Sequence, residues 1–271
     1  MQGWKTFIPT EKKIEYLNAL LQVGFDILDF GSFVSPKAIP QMADTKEVIA
    51  QLNWRDSKTK LLAIIANKRG AEEAGIYNAI SYLGFPFSVS ETFQQRNTNS
   101  SITESLERVK EIQEICVKTG KRAVIYISMG FGNPYGDPWS EAIVFEWINK
   151  IISLGIDIIS LADTVGVATP QQVSNITSYV VRSLPEITVG VHLHSTPQNR
   201  AAKIDAALQA NCYRFDGALK GIGGCPMAND ELVGNMNTEW MIGHFEKAGY
   251  TLSLDRAALA KASRLAGEIF I

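Results

Sequence analysis

Seven short runs of apolar, largely β-branched residues recur along the chain with longer helical patterns between them. They span Asp26–Phe30, Leu61–Ile65, Tyr82–Phe87, Ala123–Ser128, Asp157–Leu161, Thr188–His194 and Tyr213–Ala218. Continuous runs of this length suit parallel strands buried on both faces. The segments between them carry helix punctuation. A first helix is predicted over about Glu11–Val23. Ser101 and Glu104 form a capping box ahead of Ile102, Leu106, Val109, Ile112 and Cys116 on one helical face. Asp137-Pro138 and Thr169-Pro170 each place a capping side chain before a proline at the first helical position, and Gln172 completes a second box. Gly24, Gly120 and Gly155 stand where helices should stop.

Repeated strand–helix units build either a doubly wound sheet or a barrel. The polar residues separate the two. Asp29, Ser88, Ser128, Asp163, His192, His194 and Asp216 lie at the C-terminal ends of many different strands. In a barrel those ends converge on one mouth, whereas an open sheet uses only strands beside its switch point. An α/β fold of the TIM (β/α)8 type is therefore predicted, as one catalytic domain over residues 1–271, a length that such barrels reach without a linker. The strand count is one short of closure, because Met1–Thr10 is too short and too polar for a buried strand.

Composition excludes several function classes. A formal net charge of −2 gives no electrostatic case for nucleic acid or an anionic membrane. No apolar run approaches the ~18 residues of a membrane span. Met1–Thr10 lacks a signal-peptide core and an Arg-rich transit pattern, and Cys116, Cys212 and Cys225 show no paired spacing. A reducing, cytoplasmic setting is expected.

Three signals carry chemistry. In Val191-His192-Leu193-His194 the imidazoles stand two residues apart, so a strand points both to one face, where they can share a divalent metal. The same pair also suits inward polar residues hydrogen-bonded in a barrel mouth. Gly221-Ile-Gly223-Gly224-Cys225-Pro226 reads as a flexible loop ending in a thiol that could donate a proton on closure; it equally suits a phosphate-binding turn or an inert cysteine. Asp29 and Asp163 each close a strand, as bases or ligand-orienting groups, or simply as caps of the next helix. Asn235 offers a neutral oxygen.

Phe33-Val-Ser-Pro-Lys-Ala-Ile-Pro-Gln-Met-Ala-Asp44, Leu161-Ala-Asp163-Thr-Val-Gly166, the His-x-His strand, and Gly221-Ile-Gly-Gly-Cys225-Pro226 with Gly234-Asn235 downstream together resemble 3-hydroxy-3-methylglutaryl-CoA lyases over nearly the whole chain. The first segment and the cysteine loop separate these lyases from isopropylmalate and homocitrate synthases, which share the barrel and the His-x-His strand. The resemblance implies a divalent cation, Mg or Mn, held by His192, His194 and Asn235. It implies catalytic roles for Cys225, Asp163, His192 and Asp29, the last standing where familiar members have Glu. It places Lys5 and Ser32 at an acyl-CoA substrate and points to a homodimer. Ser195 follows the histidines in place of the family's Asp. The reaction implied is retro-Claisen cleavage to acetyl-CoA and acetoacetate. A related condensing enzyme or aldolase acting on a 2-oxo acid, and a non-catalytic acyl-CoA-binding barrel, are the competing readings.

Family members also carry an Arg-Asp pair at the end of a first strand, a few residues before positions resembling Gln2 and Lys5. That pair does not occur ahead of Gln2 here. With the strand count, this predicts a longer reading frame in which Met1 is internal, and predicts poor solubility and weak activity for the chain as written.

Overall fold

The computed structural model describes residues 1–223 and 233–270. Its strands are β1 (Ile27–Ser32), β2 (Lys60–Ile64), β3 (Ile80–Ser88), β4 (Arg122–Ser128), β5 (Ile158–Ala162), β6 (Thr188–His192) and β7 (Arg214–Phe215). The helices are α1 (Thr10–Leu21), α2 (Thr45–Ile49), α3 (Lys68–Gly75), α4 (Glu91–Thr98), α5 (Ile102–Thr119), α6 (Glu141–Ile152), α7 (Pro170–Ser183), α8 (Arg200–Gln209), α9 (Thr238–Lys247) and α10 (Arg256–Ile269). Each strand falls on one of the seven apolar runs. All pair in parallel with their sequence neighbours, in the order β1 to β7. Among the described residues β1 and β7 do not pair with each other, so the sheet curls as a seven-stranded half-barrel. β7 is shorter than its apolar run because its ladder to β6 holds only Arg214 and Phe215. Ala218 pairs instead with Asn237.

The period of two sorts side chains into an inner and an outer layer. Leu62, Val124 and Ile158 form a small inner cluster with Ile27, Ile64, Tyr82 and Tyr126. Residues of the opposite parity, such as Leu61, Ala63, Leu83, Phe85, Ile125, Ile159 and Val191, join the larger core between sheet and helices. Full burial of such a side chain contributes roughly 1.5–3 kcal/mol. No described helix is long and apolar enough to cross a membrane.

Two capping predictions hold and one changes. The Ser101–Glu104 and Thr169–Gln172 boxes are both formed. The Asp137-Pro138 start is not: α6 begins at Glu141 with Ser140 as its cap. Asp137 instead accepts from the Ser90 hydroxyl at 2.5 Å and from the Thr92 amide and hydroxyl at 2.9 and 2.8 Å. Those donors at the start of α4 hold the carboxylate away from its own downstream helix.

The segment after β1 is clamped to the N-terminal stretch. Buried Gln41 donates to the Trp4 and Thr6 carbonyls at 3.0 and 2.8 Å and accepts from the Ile8 amide at 2.9 Å. Lys13, also buried, donates to Asp44 at 2.7 Å and to the Gln41 carbonyl at 2.5 Å.

Candidate functional site at the mouth of the half-barrel

β6 delivers both histidines to one side. His192 ends the strand with its side chain inward, Leu193 turns out to the core, and His194 follows on the His192 side with ring centroids 5.4 Å apart. His194 is 3% exposed, and its Nδ1 donates to the Val233 carbonyl at 2.8 Å. A carbonyl can only accept, so the proton sits on Nδ1 and Nε2 keeps its lone pair. Burial pushes the His194 pKa down to about 4, with neighbouring His192 adding to the shift, and the ring is neutral at pH 7.

Asn235 pairs antiparallel with His194, and the Ser195 amide donates to the Gly234 carbonyl at 3.1 Å. The Asn235 Nδ2 donates to the Ile222 carbonyl at 2.9 Å, which leaves Oδ1 as the acceptor of that carboxamide, without a partner among the described residues. Two imidazoles and one amide oxygen are a donor set that suits a divalent cation of the Mg, Mn or Zn kind. Among the described residues no group of three or more His, Cys, Asp and Glu converges as a ligand cluster.

Behind His192 lies a charged interior. Asp216 Oδ2 is 3.4 Å from His192 Nδ1, accepts from the Ser160 hydroxyl at 3.0 Å, and its Oδ1 is 3.5 Å from Arg214 Nη2. Burial alone would raise the Asp216 carboxyl, but Arg214, His192 and Ser160 outweigh it and hold the pKa below the usual carboxylate range. Tyr126 lies edge-on to His192, at 5.8 Å between ring centroids. Asp29 opens onto the same concave interior. It is exposed there, and desolvation beside the strand ends pushes its pKa up to about 7, with the chain's amino group opposing and Asp216 adding.

Asp163, Ser32 and Lys5 have other surroundings. Asp163 follows β5 with the opposite parity to inward Ser160, and its side chain is buried on the helix side, 2.6 Å from Lys203 Nζ of α8. Ser32 is buried at the end of β1, where its hydroxyl accepts from the Val34 amide at 3.1 Å and its amide donates to Thr45. Lys5 is exposed on the clamped N-terminal segment. Cys225 lies outside the described residues. A cavity of about 430 Å³ lined by Trp54, Arg55, Thr59 and Asn78 sits at the opposite end, beside the starts of β2 and β3. Sequence reading missed Lys203 and Arg214, and placed Asp216 at the mouth without giving it a role. Arg214 and Asp216 were discoverable, because they share the parity that made the histidines conspicuous.

Fold and site together define an α/β-barrel protein whose mouth at the C-terminal strand ends holds a two-histidine, one-asparagine donor set. The chain belongs to the HMGL-like family, whose model matches residues 1–266. It is 33% identical over 255 residues to the bovine mitochondrial hydroxymethylglutaryl-CoA lyase, covering 89% of this chain and 74% of that one. It is 31% identical over 267 residues to the hydroxymethylglutaryl-CoA lyase YngG of Bacillus subtilis, covering 97% and 87%. A solved HMG-CoA lyase from Acinetobacter baumannii, in complex with coenzyme A and 3-methylmalate, superposes with a TM-score of 0.91 at 34% identity, covering 99% of this chain and 87% of that one.

Proposed function

We propose that this chain is a carbon–carbon lyase that cleaves 3-hydroxy-3-methylglutaryl-CoA to acetyl-CoA and acetoacetate. The observation that carries the reading is the His192–His194–Asn235 set, each of the last two with one side-chain atom tied to a carbonyl and its other donor atom without a partner among the described residues. A divalent cation on that set would draw electron density from the substrate's hydroxyl and carboxylate oxygens and lower the hydroxyl pKa. The chain's own residues supply the proton chemistry. Asp29, with a pKa raised to about 7, is suited to take the tertiary hydroxyl proton near neutral pH. As that proton leaves, the bond between C2 and C3 breaks, the hydroxyl carbon becomes the ketone of acetoacetate, and the electron pair passes to the acetyl-CoA enolate. Cys225 delivers a proton to the enolate carbon. Asp216 orients the His192 ring, and Lys5 and Ser32 serve the acyl-CoA. A homodimer remains the assembly proposed.

The test is acetoacetate production from 3-hydroxy-3-methylglutaryl-CoA by the purified chain, with and without Mg²⁺ or Mn²⁺ after chelation. Metal-dependent acetoacetate supports the reading. Turnover of 2-oxo acids instead, or coenzyme A binding with no turnover of the thioester at any metal concentration, would overturn it.

A further inference from the structure

Lys203 is a buried charge in the site region that the proposed chemistry leaves unused. It projects from α8 into the packed layer, is 0% exposed, and spends all three ammonium protons on acceptors from separate places. Nζ donates to Asp163 Oδ2 at 2.6 Å, to the His194 carbonyl at 2.9 Å and to the Gly166 carbonyl at 3.2 Å. Asp163 is equally committed. Its Oδ1 accepts from the Ala168 amide at 3.0 Å, and its own amide donates to the His192 carbonyl at 2.9 Å. With both carboxylate oxygens engaged on the helix side of the sheet, Asp163 is built as an anchor.

These contacts close a ring. Lys203 holds the His194 backbone, and the His194 ring holds the Val233 carbonyl. The Val233 side chain packs on Gly166 so closely that a Cβ there would come within 3.0 Å of it, and Gly166 returns its carbonyl to Lys203. Gly166 sits at φ +76°, a backbone state that glycine reaches without strain. Asn235 is two residues beyond Val233 and pairs with His194 across the same ring. A burial of one lysine and one carboxylate costs several kcal/mol of desolvation per ion unless every hydrogen bond is made. Here every one is made, around the segments that carry two of the three candidate ligands.

We propose that Lys203 is a positioning residue, whose ammonium, through Asp163 and the His194 and Gly166 carbonyls, sets the spacing of His194 and Asn235. The part of this inference that concerns metal affinity rests on the function proposed above; the part that concerns the backbone does not.

Lys203→Met alone would strand a buried carboxylate, so the decisive variant is Lys203→Met with Asp163→Asn, which removes both charges at nearly constant volume. Asp163→Asn alone is the companion: it leaves the ammonium without its carboxylate, so its α5 amides report any general loss of stability, but it keeps the lysine's reach to both carbonyls. Hydrogen exchange at the Ser195 amide reports the pairing directly. Exchange there should quicken roughly 10-fold or more in the double variant, with α5 amides unchanged, and stay within a few-fold of wild type in Asp163→Asn. Mn²⁺ affinity, measured calorimetrically, should fall about 10-fold or more in the double variant only. Should the double variant fail to fold, Lys203→Gln on the Asp163→Asn background retains one amide donor and is expected to show intermediate exchange. Wild-type Ser195 protection in either folded variant lacking Lys203 overturns the proposal. Faster exchange with a wild-type chain that binds no Mn²⁺ leaves Lys203 in place and overturns the metal reading.

Discussion

His194 donates from Nδ1 to the carbonyl oxygen of Val233 across 2.8 Å, and this single bond decides which face of the imidazole can bind anything. Thirty-nine residues separate the two, and no local rule pairs them. The neutral ring has one proton, and with that proton held by the carbonyl the lone pair is confined to Nε2.

Replacing that ligand should therefore weaken a metal without unfolding the protein. His194→Ala is expected to lower Mn²⁺ affinity by at least ~10-fold while the far-ultraviolet circular dichroism is retained, because a residue at the mouth supports little of the apolar core. Calorimetric titration of both proteins is the check. Equal affinities would remove His194 from the ligand set.

The same residue should write a pH signature on stability. Its folded pKa of about 4 lies below the ordinary imidazole value of 6.5, so the unfolded chain takes up the proton more readily. Stability from this group is fully present above pH 6.5 and is lost as pH falls from there to about 4, by up to about 3 kcal/mol. Urea midpoints across that range should converge between wild type and His194→Gln as pH drops. Parallel curves would show that the ring is not held neutral.

Cys225 should matter for turnover alone. Cys225→Ala is expected to lose roughly 10²–10⁴ in kcat, the scale of a positioned proton donor, with little change in ground-state ligand affinity. Alkylation should also discriminate among the thiols. Burial pushes Cys116 up to about 12 and Cys212 up to about 11, so both should react more slowly than Cys225. Full activity after stoichiometric modification of Cys225 would exclude the role.

Gly190 makes room for the Arg214–Asp216 pair. A Cβ at that position would lie 2.5 Å from Arg214 Nη1 and 3.0 Å from its Cγ, so Gly190→Ala forces the arginine off its seat beside Asp216. The expected cost is about 1–3 kcal/mol in denaturant unfolding, accompanied by a lower kcat as Asp216 loses its cation. A variant with wild-type stability and rate would show that the guanidinium has another place to go.

What the sequence determined by itself was everything governed by short-range periodicity. Seven apolar runs became seven parallel strands in chain order, because buried parallel strands must be apolar on both faces and need a crossover between them. Two capping boxes formed as spaced, and the two histidines met because residues two apart on a strand share a face. The tertiary structure alone decided which partner each polar side chain found. Asp137 read as the cap of the helix that follows it and Asp163 as a strand-end carboxylate free to cap or catalyse, yet one was taken by Ser90 and Thr92 and the other by Lys203. Lys203 itself carries no local mark, since a lysine on a helix is ordinarily solvated. Only the packing of α8 against the β5 and β6 ends removes water from its ammonium, and a buried charge then takes whatever acceptors the fold places within reach.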